Sequence, residues 1–482
     1  MSSGALTQLV AVGNQDSNFI SDDVKDSIFY ESNRKINNFA KSVHSMQPLG
    51  NSNWGTTTKF KIEKKGDMLN NLYFVAKLPE LKFTDLNDVS QQDYLFSWVN
   101  HIGYVLVENV KLFIGGQLID EQSGEIMKIL DETNNDGGWR EICKVDTEYY
   151  SLNLPNRVQI MSDYVYVPLQ FWFCKNIRKS LPLIALQYHD VEIEVKIRDF
   201  ESCYRVLKEK TYNNQNLSDL PNLELIRTHY QFENKFKQLP LEGVRLDCTY
   251  VYLDSNDRKR ISQSEHKILI TQNQEIKCNL SNKSIELDFN HPVKDLYFYL
   301  SLNYIKNLPE PLNYSANSEF LFNNTADYHL DTSNVFPNRN YGWNNGKGVL
   351  KDFLPLKYRH LLGEARILIN GHQRVEWKDY KYYSYVQNNE FYKRCIDNHV
   401  YKYSFSGNPH SETPLGSLNF SRIDNAQLQV KINENSINLL KKFMNPSDYQ
   451  ELNDNNLNIT INAINYNYLV IKSGMGGLMY NN

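Results

Sequence analysis

VEIEVKI, residues 191–197, alternates without a break: Val191, Ile193, Val195 and Ile197 fall on one side of an extended chain, and Glu192, Glu194 and Lys196 on the other. A two-residue period with one apolar side describes a strand in a sheet that buries one face and wets the other. The period returns at Ile285–Phe289 (IELDF), Leu428–Ile432 (LQVKI) and Leu457–Ala463 (LNITINA), each with Asn, Asp, Gly or Pro nearby. Helical periodicity is scarce. The stretch Ile437–Met444 (INLLKKFM), capped by Asn435 or Ser436, predicts one or two turns. Many strands joined by long polar connections imply an all-β sandwich or barrel, not alternating β-α units.

With 482 residues the chain exceeds what a single core usually serves, so two domains are expected. Hydrophobic residues at 41% and aromatics at 13% supply material for packed cores. The 32 tyrosines and 23 phenylalanines favour pleated surfaces, although an AT-rich genome would enrich Asn, Lys, Ile and Tyr as well. The 52 basic and 56 acidic side chains leave a formal charge of −4, which provides no cationic field for nucleic acid or an anionic bilayer. Six cysteines (143, 174, 203, 248, 278 and 395) form no C-x-x-C and read as buried thiols of a reducing compartment. The N-terminus lacks the basic start and apolar core of a secretory signal. The most apolar stretch, Tyr164–Cys174, falls well short of the roughly 20 residues of a spanning helix, so no membrane span is expected.

Two long polar stretches divide the strands. Glu209–Leu223, carrying Pro221, lies near the middle and is the candidate linker; Asn303–Gly348, with Pro309, Pro311 and Pro337, shows no clear period and has the size of a functional or decorative surface loop. On either side of the linker the chain faintly repeats itself. VKLFIGGQLID (Val110–Asp120) and ARILINGHQRVE (Ala365–Glu376) are both strand, tight turn, strand, with Gly115-Gly116 and Asn370-Gly371 suited to positive φ. NLYFVAKL at Asn71 resembles DLYFYLSL at Asp295, and VEIEVKI resembles LQVKI. The offsets, 224 from Tyr73 to Tyr297, 255 from Gly116 to Gly371 and 235 from Ile197 to Ile432, agree roughly, as a duplicated β domain would require.

Residues that carry chemistry are absent as patterns. The C-terminal SGMGGLMY (Ser473–Tyr480) is glycine-rich but leads into no helix, which excludes a dinucleotide site there. Asp131–Gly138 places Asp136 where a calcium loop needs glycine. Zinc-hydrolase, α/β-hydrolase and P-loop motifs do not occur. His189 and His266 stand alone, and Arg258, Lys259 and Arg260 read as a solvated turn. The sequons at Asn279, Asn313 and Asn323 are what an Asn-rich chain produces by chance. The expectation is therefore no enzyme, no catalytic residue, no cofactor and no metal.

Nine segments in fixed order carry a family resemblance. They are GALTQLVAVGNQD from Gly4, GDMLNNLYFVAKLP from Gly66, WVNHIGYVLVENVKLFIGGQLID from Trp98, LPLIALQYHDVEIEV from Leu181, TYVYLDSNDRKRISQSEHKILITQ from Thr249, FNHPVKDLYF from Phe289, ARILINGHQR from Ala365, NFSRIDNAQLQ from Asn419 and SGMGGLMYNN from Ser473. Together they resemble the major capsid proteins of nucleocytoplasmic large DNA viruses. The resemblance implies two tandem eight-stranded antiparallel jelly-roll sandwiches, a double jelly roll, with long surface loops and few short helices. Its layout here would be an N-terminal arm at 1–24, a first jelly roll at 25–208, a linker at 209–223 and a second jelly roll at 224–482.

The resemblance also implies partners: a homotrimer, neighbouring capsomers, minor capsid and penton proteins, and indirectly an inner membrane layer, with no direct nucleic acid. It places the protein in the virion capsid, after synthesis and assembly in the host cytoplasm. Gly115, Gly116, Asn370 and Gly371 would take equivalent hairpin turns, Asp254 and Arg258 would form a local charge pair, and Arg422 and Asp424 would pair across a domain or subunit interface. The chain departs from the family at NRKINNF (Asn33–Phe39), where Asn33 and Ile36 replace the usual aromatic and histidine. A carbohydrate-binding jelly roll, with Trp139 and Trp343 as stacking platforms, and a minor capsid protein are the alternatives.

Overall fold

The structure is a computed structural model that describes residues 38–79, 81–82, 94–99, 101–134, 159–160, 163–210, 222–225, 239–280, 283–302, 312, 314, 360–392, 399–411, 413–443 and 457–481. The N-terminal arm, Asn33 and Ile36, nearly all of Asn303–Gly348, Trp139, Trp343, Cys143, Cys395, Asn313 and Asn323 lie outside the described residues.

Eight strands build the first sandwich: β1 (Phe39–Met46), β2 (Thr57–Ile62), β3 (Met68–Lys77), β4 (Val107–Ile114), β5 (Gln117–Ser123), β6 (Tyr164–Pro168), β7 (Val191–Ile197) and β8 (Glu242–Leu253). They form two antiparallel sheets, in the orders β1-β8-β3-β6 and β2-β7-β4-β5. Eight more build the second: β9 (His266–Asn279), β10 (Ser284–Glu286), β11 (Pro292–Leu302), β12 (Leu362–Ile369), β13 (His372–Asp379), β14 (Tyr401–Ser404), β15 (Ala426–Ile432) and β16 (Leu457–Lys472). Their orders, β9-β16-β11-β14 and β10-β15-β12-β13, repeat the first permutation. The internal repeat is thus a repeat of topology. Its landmarks fall on β3 and β11, on the β4-β5 and β12-β13 hairpins, and on β7 and β15.

The opening alternation works as its period requires. Val191, Ile193, Val195 and Ile197 are at most 1% exposed, inside the first core. On the other face Glu194 meets Lys59 at 2.5 Å and Lys196 meets Glu108 at 2.8 Å, ion pairs between neighbouring strands. β7 sits between β2 and β4, so its register fixes both neighbours.

The expected domain boundaries need correction. β8 follows the supposed linker, yet it inserts between β1 and β3, pairing Phe39 with Leu253 and Tyr73 with Asp247. The first sandwich therefore runs to Leu253, not to residue 208. A closing strand must return beside the first strand of its own sheet, and polar composition at 209–223 marks an excursion before that return. The ends of the excursion pair with each other, Glu209 with Leu223 and Lys210 with Asn222, beside the strand Tyr94–Trp98. The true junction is Asp254 and the helix α2 (Ser255–Gln263), the second of three helices of nine or more residues among the described residues, with α1 (Gly124–Asn134) and α3 (Glu434–Phe443). Arg258, Lys259 and Arg260 thus ride on a helix and not in a turn. The cap of α3 is Asn433, whose Oδ1 accepts from the Asn435 N–H at 3.2 Å; Ser436 instead donates to the His360 carbonyl at 2.8 Å.

Because Ile193 is fully buried at the centre of the first sandwich, Ile193→Ala is expected to cost about 2–5 kcal/mol. Chemical denaturation checks this against Glu192→Ala on the wet face, which is expected to change stability by about 0.5 kcal/mol or less.

Candidate functional site

Among the described residues no group of three or more His, Cys, Asp or Glu side chains is placed to hold a metal ion, and no helix is long and apolar enough to cross a membrane. The described cysteines are free thiols; burial pushes Cys174 and Cys203 up to about 12, so both stay protonated near neutrality. The chemistry that the structure does concentrate lies where one sandwich meets the other.

That seam begins in a sheet with two apolar faces. In β11, Leu296, Phe298 and Leu300 belong to the core of the second sandwich, whereas Tyr297 and Tyr299 point out of it and join the buried cluster of the first. Ile464 of β16 does the same. Tyr297 packs on Tyr392 of its own sandwich, ring centroids 6.1 Å apart, and Tyr299 lies between the Tyr314 ring, 4.2 Å away, and the first turn of α1. Tyr299 donates to Glu125 Oε2 at 3.1 Å, and Lys277 of β9 pairs with the same carboxylate at 3.0 Å. Ser123 donates to Glu275 at 3.2 Å, and Gln272 donates to the Ile119 carbonyl.

Asp120 is the most buried charge in this contact, 3% exposed. It accepts from the Asn273 N–H across the seam at 2.9 Å, from the Glu121 N–H at 3.0 Å and from Gln122 Nε2 at 2.8 Å. Burial nevertheless pushes its carboxyl up to about 7, the three donors pulling the other way. A polar groove of about 520 Å³ follows the seam, with Asp120, Gln272, Asn273, Asn465 and Tyr480 among its walls.

The C-terminal glycine-rich motif closes the other side. After β16 the strand Met475–Leu478 turns back to pair with it, and the hairpin rests on the first sandwich. Tyr188 N–H donates to the Gly474 carbonyl at 2.9 Å, Leu478 N–H donates to Gln117 Oε1 at 3.1 Å, and His189 Nδ1 lies 2.9 Å from the Gly476 carbonyl. The same imidazole fills the space beside the β4-β5 turn, where a Cβ on Gly115 would lie 2.2 Å from its Nδ1. His189 is a structural wedge between the two sandwiches.

The other residues singled out from the sequence fall as follows. Gly115 and Gly116 have φ of 58° and 81°, and Asn370 and Gly371 have 49° and 79°, so both two-residue hairpins hold positive φ at both positions. The second turn is tied down through Asn370, which donates its N–H to the Asn425 carbonyl and accepts from the Asn425 N–H. Asp254 and Arg258 do not form the expected charge pair. Asp254 caps α2 by accepting from the Ser255 N–H at 2.6 Å, while Arg258 reaches Asp67 at 3.1 Å, a buried carboxylate of β3's approach. Arg422 and Asp424 are both exposed in the single chain.

The seam itself was missed from sequence. The available signal was the run DLYFYL at Asp295, which keeps apolar residues on both faces where VEIEVKI alternates; a strand of that kind is buried on both sides.

Comparison with known proteins agrees with this geometry. Residues 27–254 match the family model described as major capsid protein N-terminus, and residues 257–477 match that of the large eukaryotic DNA virus major capsid protein. The break between the two matches lies at the junction that β8 and α2 define. The chain is 26% identical to the major capsid protein of Phaeocystis pouchetii virus, covering 99% of this chain and all of that one. It is 27% identical to the major capsid protein of Paramecium bursaria Chlorella virus 1, with the same coverage. In fold it resembles the solved capsid of that chlorella virus (TM-score 0.66, 23% identity, 95% of this chain and 100% of that one) and the Faustovirus major capsid protein (TM-score 0.62, 12% identity, 93% of each). These neighbours are double jelly rolls, and the sixteen strands traced above give this chain the same fold.

Two outcomes follow from the seam. Gly115→Ala would force a Cβ into His189 at a positive φ, and is expected to lower the thermal midpoint by more than Gly116→Ala, whose Cβ meets nothing within 4 Å. Folding raises the Asp120 carboxyl from 3.8 to about 7, so the folded chain holds a proton that the unfolded chain releases, and stability from this group falls as pH rises through that window. Asp120→Asn is expected to flatten that fall in denaturant midpoints measured between pH 4 and pH 8; parallel curves for the two proteins would contradict it.

Proposed function

Since the chain belongs to the family of large eukaryotic DNA virus major capsid proteins and its role is structural, we propose that its work is self-assembly. Three copies close into a trimer with a six-cornered outline, and these capsomers tile an icosahedral shell. The observation that carries this reading is the pairing of two sandwiches of identical strand order through a polar and apolar seam. Each chain then brings two like corners at a fixed angle, and a threefold ring of such chains has six.

The remaining partners follow from that arrangement: neighbouring capsomers at the edges, minor capsid and penton proteins at the base and vertices, and an inner membrane layer only indirectly. A formal charge of −4 on 482 residues supports edge-to-edge packing of many copies without large mutual repulsion, and it offers no field for nucleic acid. Arg422 and Asp424, exposed and two residues apart, are proposed to pair across the contact between subunits. The protein is made in the host cytoplasm and resides in the virion capsid.

Light scattering on the purified protein tests the assembly. The expected mass is about 169 kDa, three times the 56.4 kDa chain. A mass that stays at one chain across protein and salt concentration would contradict the proposal.

A further inference from the structure

The two sandwiches repeat one topology, so the outer face of β10-β15-β12-β13 can be compared position by position with that of β2-β7-β4-β5. In the first sandwich that face is knitted by ion pairs. Glu194 of β7 stands opposite Lys59 of β2 and pairs with it at 2.5 Å, Lys61 pairs with Asp190 at 2.6 Å, and Lys111 of β4 meets Glu121 of β5 at 3.4 Å. The second sandwich keeps one equivalent, Lys431 with Glu364 at 2.7 Å in the place of Lys196 with Glu108 at 2.8 Å. Elsewhere the charges are replaced. Gln429 and Gln427 of β15 stand where β7 has Glu194 and Glu192, opposite Ser284 and Glu286 of β10.

The replacements form a directed row. Arg366 Nε donates to Gln429 Oε1 at 2.7 Å, Gln429 Nε2 donates to Ser284 Oγ at 3.3 Å, and the Ser284 hydroxyl donates to Gln427 Oε1 at 3.2 Å. Each amide's orientation is set by its neighbour, and the Gln427 Nε2 hydrogens stand at the end of the row. Beside it lies the half-buried ring of Trp377. A register shift between Ala365 and Ile367 interrupts the β12-β13 ladder and brings this ring 4.8 Å from the Arg366 guanidinium and 4.0 Å from Lys431 Nζ, where the first sandwich has the Lys111–Glu121 pair. Trp98 and Trp172 are buried in the first core and Trp54 packs against it, whereas Trp377 belongs to neither core. A groove of about 550 Å³ opens here, its walls including Ser284, Glu286, Trp377, Gln427, Gln429 and Lys431.

Folding does not demand this arrangement, since the first sandwich builds the same sheet with lysines and carboxylates in those places. A row of amides and a hydroxyl beside an aromatic ring suits a ligand that is uncharged, rich in hydroxyls and apolar along its C–H surface. An anion would meet Glu286 and find Lys431 already paired with Glu364, and a cation would compete with Arg366 and Lys431 for the ring. We infer that this groove binds a neutral saccharide of about one or two sugar rings, with Trp377 as the apolar wall and Ser284, Gln427 and Gln429 as partners of its hydroxyls. The inference goes beyond assembly and does not rest on it.

Saturation-transfer NMR on the full chain with cellobiose, lactose, mannobiose and diacetylchitobiose tests the site. Transfer to the C–H protons of at least one of the four at millimolar concentration is expected, with Trp377→Ala binding that saccharide at least about tenfold more weakly. Because Trp377→Ala also removes the ring contacts of Arg366 and Lys431, Gln429→Glu serves as a second variant. It leaves the ring in place, puts back the carboxylate of the first sandwich, and is expected to weaken binding several-fold. Far-UV circular dichroism confirms that both variants are folded. No transfer to any of the four at tens of millimolar, or binding unchanged in either variant, would overturn the site. A chain that stays single in light scattering would contradict the trimer and leave this result untouched.

Discussion

The constraint on which the architecture depends is a sheet that cannot face water on either side. In the second sandwich, Leu296, Phe298 and Leu300 fill one core while Tyr297, Tyr299 and Ile464 must be covered from outside. Burying such side chains favours the covered state by about 1.5–3 kcal/mol each before ordering costs, so the contact between sandwiches is a continuation of the core. A duplicated domain joined only by a linker would swing; this one is held. The angle between the two sandwiches is therefore a property of the fold.

Polar groups give that contact its register. Apolar burial is indifferent to small slides, whereas the Asn273 N–H on Asp120, Lys277 and Tyr299 on Glu125, and Gln117 on the Leu478 N–H each fix one position. Asp120 is costly to hold there, which is why its proton is retained to about pH 7. The His189 wedge against Gly115 and Gly476 adds a steric stop. The glycine-rich C-terminus has its explanation in this clasp: a Cβ on Gly476 would lie 2.6 Å from Leu186.

Much of this was legible in the residues. Alternation in VEIEVKI named a half-wet strand, the two positive-φ turns stood out as Gly-Gly and Asn-Gly, and the ordered segments pointed to the fold before any coordinate. The domain boundary was not legible, because a polar stretch between the seventh and eighth strands looks the same as one between domains; only the pairing of β8 with β1 and β3 separates them. Arg258 was misread for a related reason, since spacing showed Asp254 four residues away but could not show Asp67 folded beside it. The seam was hidden because its donors and acceptors lie some 150 residues apart, beyond any local pattern.

The two sandwiches share one continuous buried contact and present two like corners, and the decisive question is whether they build a closed tile. Electron microscopy of the purified protein addresses this most directly. The account predicts particles with threefold symmetry and six lobes of nearly equal density, arranged as a hexagon with alternating contacts within and between chains. Isolated two-lobed particles, or lobes at variable angles to one another, would contradict it.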